Sequence, residues 1–390
     1  MFHTAIIKLT ARCNLDCTYC YVFNQADKTY TRVPKAMPIA TALECLDRIH
    51  RHAAGELHSG RFSIVLHGGE PTLWPLASLR TFLDRVEQIR NEGIDLAVGM
   101  QSNGVRLRAP LLELLDEHGV RIGISLDGPK ANNDHFRVDH AGRGSYDQIM
   151  RSVSTAIESG YGHLLAGFLA VAQPTISPTT FLDWADSLPI RRLDVLWPIE
   201  FNYDHPPWTG TDLASYARRP TYGAWFADLF AEWWRRNDPT LEIRHFYQVI
   251  QVLLGGTEHT DTIVNDVLDM FVINTDGQVE YPDYFRSFAD GACRTPFNVA
   301  TDDLDTVAAD PVFDFCLHLG DHRPSECDGC PCVRECGGGF LPGRMREGET
   351  LPRERSVLCL DHLHFFSTVR EILAQHRDEL PEPSMGLARV

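Results

Sequence analysis

Short β-rich runs alternate with helical patterns from the start of the chain to about residue 200, and that alternation limits the fold more than any other feature. The runs are TAIIKLT, FSIVLHG, LAVGMQSNG, VRIGISLDG, LLAGFLAVAQ and RLDVLWPIEF. Between them lie segments such as IATALECLDRIHRHA, where Ile39, Ala42, Leu43, Leu46 and Ile49 recur on one helical face. Strand and helix repeated in this way predict a parallel α/β sheet, here a partial (β/α)6 TIM-like barrel. In such a barrel the loops after the strands gather on one face, so the polar residues just beyond each strand meet at one site.

The formal charge of −17, with no basic run anywhere, argues against a nucleic-acid or anionic-membrane partner. The first residues lack a signal-peptide pattern, and the longest apolar run, LLAGFLAVA, is far too short to span a bilayer. The chain therefore reads as cytoplasmic, where its 11 cysteines are better read as metal ligands than as disulfides. Texture divides it into a barrel over 1–197, an aromatic helical bridging region over 198–270, a cysteine-rich module over 271–380 and a tail over 381–390. In the bridging region Tyr222, Phe226, Leu229, Phe230 and Trp233 form a helical stripe best read as core, and Asp276 and Gly277 signal a hairpin turn.

The loop after the first strand, ARCNLDCTYCYVFN, holds Cys13, Cys17 and Cys20 without a fourth cysteine nearby. Four thiolates close a structural site, whereas three leave one metal position open. Zinc held by three cysteines and a [4Fe-4S] cluster with one open iron site both satisfy this spacing. The segment CNLDCTYC resembles the signature of radical S-adenosylmethionine (SAM) enzymes, including Tyr19 before the last cysteine. The resemblance implies that the open iron binds SAM and that one electron, from an external reductant such as flavodoxin or ferredoxin, cleaves it to a 5'-deoxyadenosyl radical. The following strand ends extend it. HGGEP places Gly68, Gly69, Glu70 and Pro71 where the family holds the SAM amino group, and glycine allows close main-chain approach. Ser102, Asn103, Ser125 and Asp127 match positions that contact the ribose and methionine carboxylate, and Arg137 matches a recurrent arginine.

Farther along, Cys327, Cys330 and Cys336 stand in ECDGCPCVRECGGGF, followed by Cys359. These resemble the SPASM extension of peptide-modifying radical SAM enzymes, which implies one auxiliary [4Fe-4S] cluster with all four ligands supplied. Phe340 and Asp283 occupy positions where a full module has cysteines, so the second auxiliary cluster is not expected. Cys293, Cys316 and Cys332 have no assigned role, and Cys45 reads as packing.

The CGGGFLPGR segment and the Ser356–Asp361 stretch resemble maturases that crosslink ribosomally made peptides as cyclophanes. That resemblance implies a precursor peptide with a leader as partner. Asp283 is the candidate catalytic base, with a turn aspartate or a replacement cluster ligand as its other readings. Tyr203, Asp204 and His205 are candidates to line a substrate channel. Only 12 residues precede Cys13, so leader recognition is expected on the barrel, on the aromatic region or through another protein, and the acidic charge favours a basic leader. Thioether formation, epimerisation, decarboxylation and sulfatase-type oxidation use the same machinery. A non-catalytic iron-sulfur or zinc protein is the reading of another class.

Overall fold

A computed structural model describes residues 1–55, 60–256, 262–263, 266–349, 351–352 and 354–376; the expected tail over 381–390 lies outside them. Along the chain run β1 (Thr4–Thr10), α1 (Ile39–Ala53), β2 (Phe62–Gly68), α2 (Leu76–Asn91), β3 (Leu96–Ser102), α3 (Ala109–Glu117), β4 (Arg121–Ser125), α4 (Lys130–Phe136), α5 (Tyr146–Glu158) and β5 (Leu165–Val171). Then come α6 (Pro178–Asp186), β6 (Arg192–Leu196), α7 (Leu213–Arg218), α8 (Thr221–Arg236), β7 (Glu242–Ile243) and α9 (Arg244–Leu253). The remainder is β8 (Met270–Ile273), β9 (Gln278–Glu280), β10 (Arg294–Asn298), α10 (Leu304–Ala308), α11 (Pro311–Leu317), α12 (Val333–Cys336) and α13 (Cys359–Gln375). The six expected strands all form. Those reading into SNG and LDG stop short because Gly104 and Gly128 turn the chain at φ of 74° and 114°.

Backbone contacts divide the chain into two compact units, residues 1–170 with 269–317 and residues 171–268 with 318–390. In the first, the strand order is β10-β9-β8-β1-β2-β3-β4-β5. Strands β1 to β5 pair in parallel, as expected of a partial barrel. Ile7, Leu9, Ile64, Leu66, Ile122 and Ile124 are buried in this sheet, and apolar strands covered by crossover helices are what a parallel sheet requires. The hairpin at Asp276–Gly277 forms, with Gly277 at φ 79°. Its first strand, β8, pairs in parallel with β1 over Thr4–Ile7, so the hairpin extends the barrel sheet.

In the second unit β6 pairs in parallel with β7. Phe226, Leu229, Phe230 and Trp233 of α8 are buried as the stripe predicted, while Tyr222 is half-buried. Asp361, in the first turn of α13, accepts hydrogen bonds from the backbone N–H groups of Tyr222 and Gly223 at 3.0 and 2.9 Å and from the Tyr216 hydroxyl at 3.0 Å. It caps the start of α8 from another helix, satisfying donors a helix leaves unpaired. Gly223 is required there, because a Cβ would fall within contact distance of the Asp361 backbone.

Candidate active site

The loop carrying Cys13, Cys17 and Cys20 leaves the end of β1 and is fastened to the last residue of α4 and the segment that follows it. The N–H groups of Asp16 and Thr18 donate to the carbonyls of Val138 and Phe136 at 2.7 and 2.9 Å. Burial pushes the Cys13 thiol up to about 12, partly opposed by the Leu15 N–H, and the Cys17 thiol up to about 11, partly opposed by Arg137. Burial raises Cys20 as well. Desolvated thiols of this kind need a cation to become thiolates, which iron supplies. The side-chain amide of Asn103 donates toward the Cys13 sulfur at 3.6 Å and to Asn14 at 2.9 Å, joining the end of β3 to the loop.

The glycines of HGGEP serve a close approach between strand ends. A Cβ on Gly68 would collide with the Thr10 backbone, and one on Gly69 with the Arg12 carbonyl and the Phe23 ring. Glu70 is buried, and its carboxylate accepts from the Thr72 N–H at 3.0 Å, the Ser102 hydroxyl at 2.8 Å and the Asn103 N–H at 2.8 Å. Three of roughly four acceptor positions of a carboxylate are thus used, leaving about one for an amino group. Pro71 is buried at the start of the short turn that Glu70 caps.

On the next strand Ser125 Oγ accepts from Gln101 Nε2 at 2.9 Å, a partner the sequence reading missed. Asp127 is buried and accepts from the Tyr19 hydroxyl, which accepts in turn from Arg137 at 2.9 Å. Arg137 Nε is buried with no hydrogen-bond partner. A buried unpaired donor is costly, and together with three desolvated thiols it fits a cluster-bound anionic ligand such as the SAM carboxylate.

Asp283 lies in a buried charged cluster. Its carboxylate is 2.5 Å from Lys8 Nζ of β1 and 3.1 Å from Arg286 Nε, with the Tyr21 hydroxyl at 3.5 Å. Arg286 also pairs with Asp27 and Glu280. Burial pushes the Asp283 carboxyl up, but Lys8 and then Arg286 outweigh it and hold it at about 2. The sequence pointed to Asp283 and not to Lys8, Asp27, Glu280 or Arg286. Cys293, buried, directs its thiol toward the carbonyl of Pro282 at 3.4 Å, and Cys45 is buried in α1 as the packing reading expected.

In the second unit one small cavity is lined by Cys327, Cys330, Cys336 and Cys359, together with Arg355, Gly338 and a fifth thiol, Cys332. The four thiols expected to act together therefore share one space. Burial raises the Cys336 thiol well above its usual value, with Cys359 adding to the effect. Gly337, Gly338 and Gly339 follow Cys336 at φ 61°, 95° and 90°, the left-handed region that glycine enters freely. Phe340 is buried. Among the described residues no three Cys, His, Asp or Glu side chains converge as a single metal ion would need. Tyr203 donates to the Arg355 carbonyl at 2.6 Å and lies under the Arg346 guanidinium, while Asp204 accepts from the Glu347 N–H at 2.7 Å. The His205 N–H turns back to the Asn202 side chain at 2.9 Å.

Residues 7–188 match the model of the Radical SAM superfamily. The chain carries a radical SAM domain and is an enzyme, with the [4Fe-4S] cluster and SAM that such a domain implies. It is 24% identical over 280 residues to a cysteine-type anaerobic sulfatase-maturating enzyme of Clostridium novyi, covering 71% of this chain and 72% of that one. A serine-type anaerobic sulfatase-maturating enzyme of Klebsiella aerogenes is 29% identical over 39% of this chain and 36% of its own. Among solved structures, native anSMEcpe with bound AdoMet and Cp18Cys peptide superposes with a TM-score of 0.78 at 20% identity, covering 96% of this chain and 99% of that one. Streptococcus suis SuiB bound to precursor peptide SuiA gives 0.57 at 18% identity, covering 92% and 76%. No helix among the described residues is long and apolar enough to cross a membrane.

Proposed function

We propose that this enzyme is a cytoplasmic maturase that crosslinks a ribosomally made precursor peptide, forming a cyclophane-type C–C bond by net two-electron oxidation. The observation that carries this reading is the C-terminal cavity lined by Cys327, Cys330, Cys336 and Cys359; in the sequence, Phe340 and Asp283 stand at positions where a full module has further cysteines. One auxiliary cluster, and not two, is the reading that pattern favours. Peptides in the neighbouring structures, Cp18Cys with anSMEcpe and SuiA with SuiB, support a peptide substrate, which on this reading carries a leader. We assign the barrel to residues 1–197 and the auxiliary-cluster module to 271–380.

A cluster held by Cys13, Cys17 and Cys20, with SAM and one electron from a flavodoxin or ferredoxin, would supply abstraction of a strong C–H hydrogen. The chain's own residues do the rest. Gly68 and Gly69 bring the β2 end against β1, Glu70 fixes the turn and offers its remaining acceptor position to an amino group, and Ser102, Asn103, Ser125 and Asp127 close the pocket. Arg137 meets a carboxylate, and Tyr19 holds Arg137 and Asp127 in register. Asp283 is the proposed acceptor of the proton that the crosslinked ring must lose; its ion pairs with Lys8 and Arg286 keep it ionised while lowering its basicity.

Sulfatase-type oxidation is the second reading, favoured by the similarity to sulfatase-maturating enzymes. Co-expression with a short aromatic peptide encoded beside this chain, followed by tandem mass spectrometry, separates the two. A crosslink removes two hydrogens and blocks fragmentation between the joined residues, whereas an oxidised serine or cysteine becomes an aldehyde that reacts with hydrazides. An unmodified peptide in the presence of SAM cleavage would rule out this substrate assignment.

A further inference from the structure

His362 sits in the first turn of α13, three residues after Cys359 in a stretch assigned no role for it. Its Nδ1 lies 3.6 Å from the Cys336 sulfur, while Nε2 is buried with no hydrogen-bond partner. A thiolate accepts hydrogen bonds and cannot donate, so the proton belongs on Nδ1 and the lone pair on Nε2. The ring is held in this orientation by Trp197, whose ring meets it edge-on at 4.7 Å and 87°, and by Phe366 at 6.2 Å. On the remaining side is Gly339, where a Cβ would fall 3.2 Å from Nδ1 and 2.6 Å from the Ser356 Cβ. The third glycine of CGGG thus leaves room for the imidazole to reach the sulfur.

Hydrogen bonds to cluster sulfurs raise the reduction potential, because they stabilise the more negative, reduced state. We infer that His362 is a positioning residue that donates Nδ1–H to the Cys336 thiolate and sets the potential of the C-terminal cluster. The inference rests on the reading of Cys336 as a cluster ligand. It gives the auxiliary cluster a tuned electron affinity, as an acceptor of the electron released from an oxidised peptide requires.

The test uses the full chain with Cys13→Ala, Cys17→Ala and Cys20→Ala, reconstituted anaerobically. About four irons per chain uphold the reading beneath the inference, and a chain without iron removes both. In that background His362→Phe is expected to keep its iron and to move the midpoint, followed by electron paramagnetic resonance during redox titration, to more negative values. The expected shift is tenfold in the one-electron equilibrium, about 59 mV. His362→Asn, which returns an N–H donor, recovers at least half of it. An unchanged midpoint in His362→Phe overturns the inference while leaving the cluster reading intact. The parent chain labelled with 15N-histidine gives a result independent of substitution. A weak nitrogen coupling to the reduced cluster supports the hydrogen bond, and either a strong coupling from direct iron ligation or none at all overturns it.

Discussion

The Lys8 ammonium lies 2.5 Å from the Asp283 carboxylate, with the two side chains only 4% and 8% exposed. Asp283 is held at about 2 in the folded chain against 3.8 for the free side chain. A depressed carboxyl stabilises the fold above its unfolded value, and the contribution disappears as pH falls through the folded value. Melting temperature should therefore drop between about pH 4 and pH 2, and Asp283→Asn should flatten that limb. At neutral pH the same substitution leaves Lys8 buried without its partner and should cost about 3–5 kcal/mol in urea denaturation. If Asp283 also receives the substrate proton, a folded variant cleaves SAM while releasing little crosslinked peptide.

Glu70→Gln removes one of two acceptor oxygens that now serve Thr72, Ser102 and Asn103. One buried donor then faces an amide NH2, at a cost of about 1–3 kcal/mol. Calorimetry should show both a lower melting temperature and weaker SAM binding, and an unchanged SAM affinity would remove Glu70 from the cofactor pocket.

Two glycine substitutions make a matched pair. Gly69→Ala drives a methyl into the Arg12 backbone and should destabilise by about 3 kcal/mol. Gly99→Ala, where the new atom's nearest neighbour is the Arg121 carbonyl at 3.8 Å, should stay within about 0.5 kcal/mol of the parent. Parallel thermal melts check the contrast.

Cys336→Ala should lose the C-terminal iron, about four atoms per chain, whereas Cys332→Ala should retain it. Cys332 has its thiol 3.8 Å from the Ser367 hydroxyl, whereas the partner of the Cys336 sulfur is the His362 imidazole. Iron analysis of both variants with the N-terminal site intact decides which four of the five thiols act as ligands.

Periodicity made the strands and α1 legible, because parallel strands buried on both faces read as apolar runs and an exposed helix reads as a stripe. Spacing likewise revealed the thiols that lie close in the chain. Lys8 was not legible, although a lysine inside TAIIKLT alternates with buried residues and should have prompted a search for its carboxylate. That partner lies 275 positions away, at Asp283, and only the pairing of β8 with β1 brings the two strands' neighbourhoods together. Cys332 and His362 escaped for a related reason: neither fits a repeat, and they gain meaning only from their surroundings, Cys332 as part of the cavity wall and His362 from its contact with Cys336.

Cys359 and Asp361 share one helical turn, the first lining the thiol cavity and the second capping the helix that carries Trp225, Phe226 and Trp233. A ligand bound at Cys359 and the cap on α8 would therefore act on the same turn of α13. Protein purified without iron should accordingly be cut faster within α8 by limited proteolysis than protein reconstituted with iron.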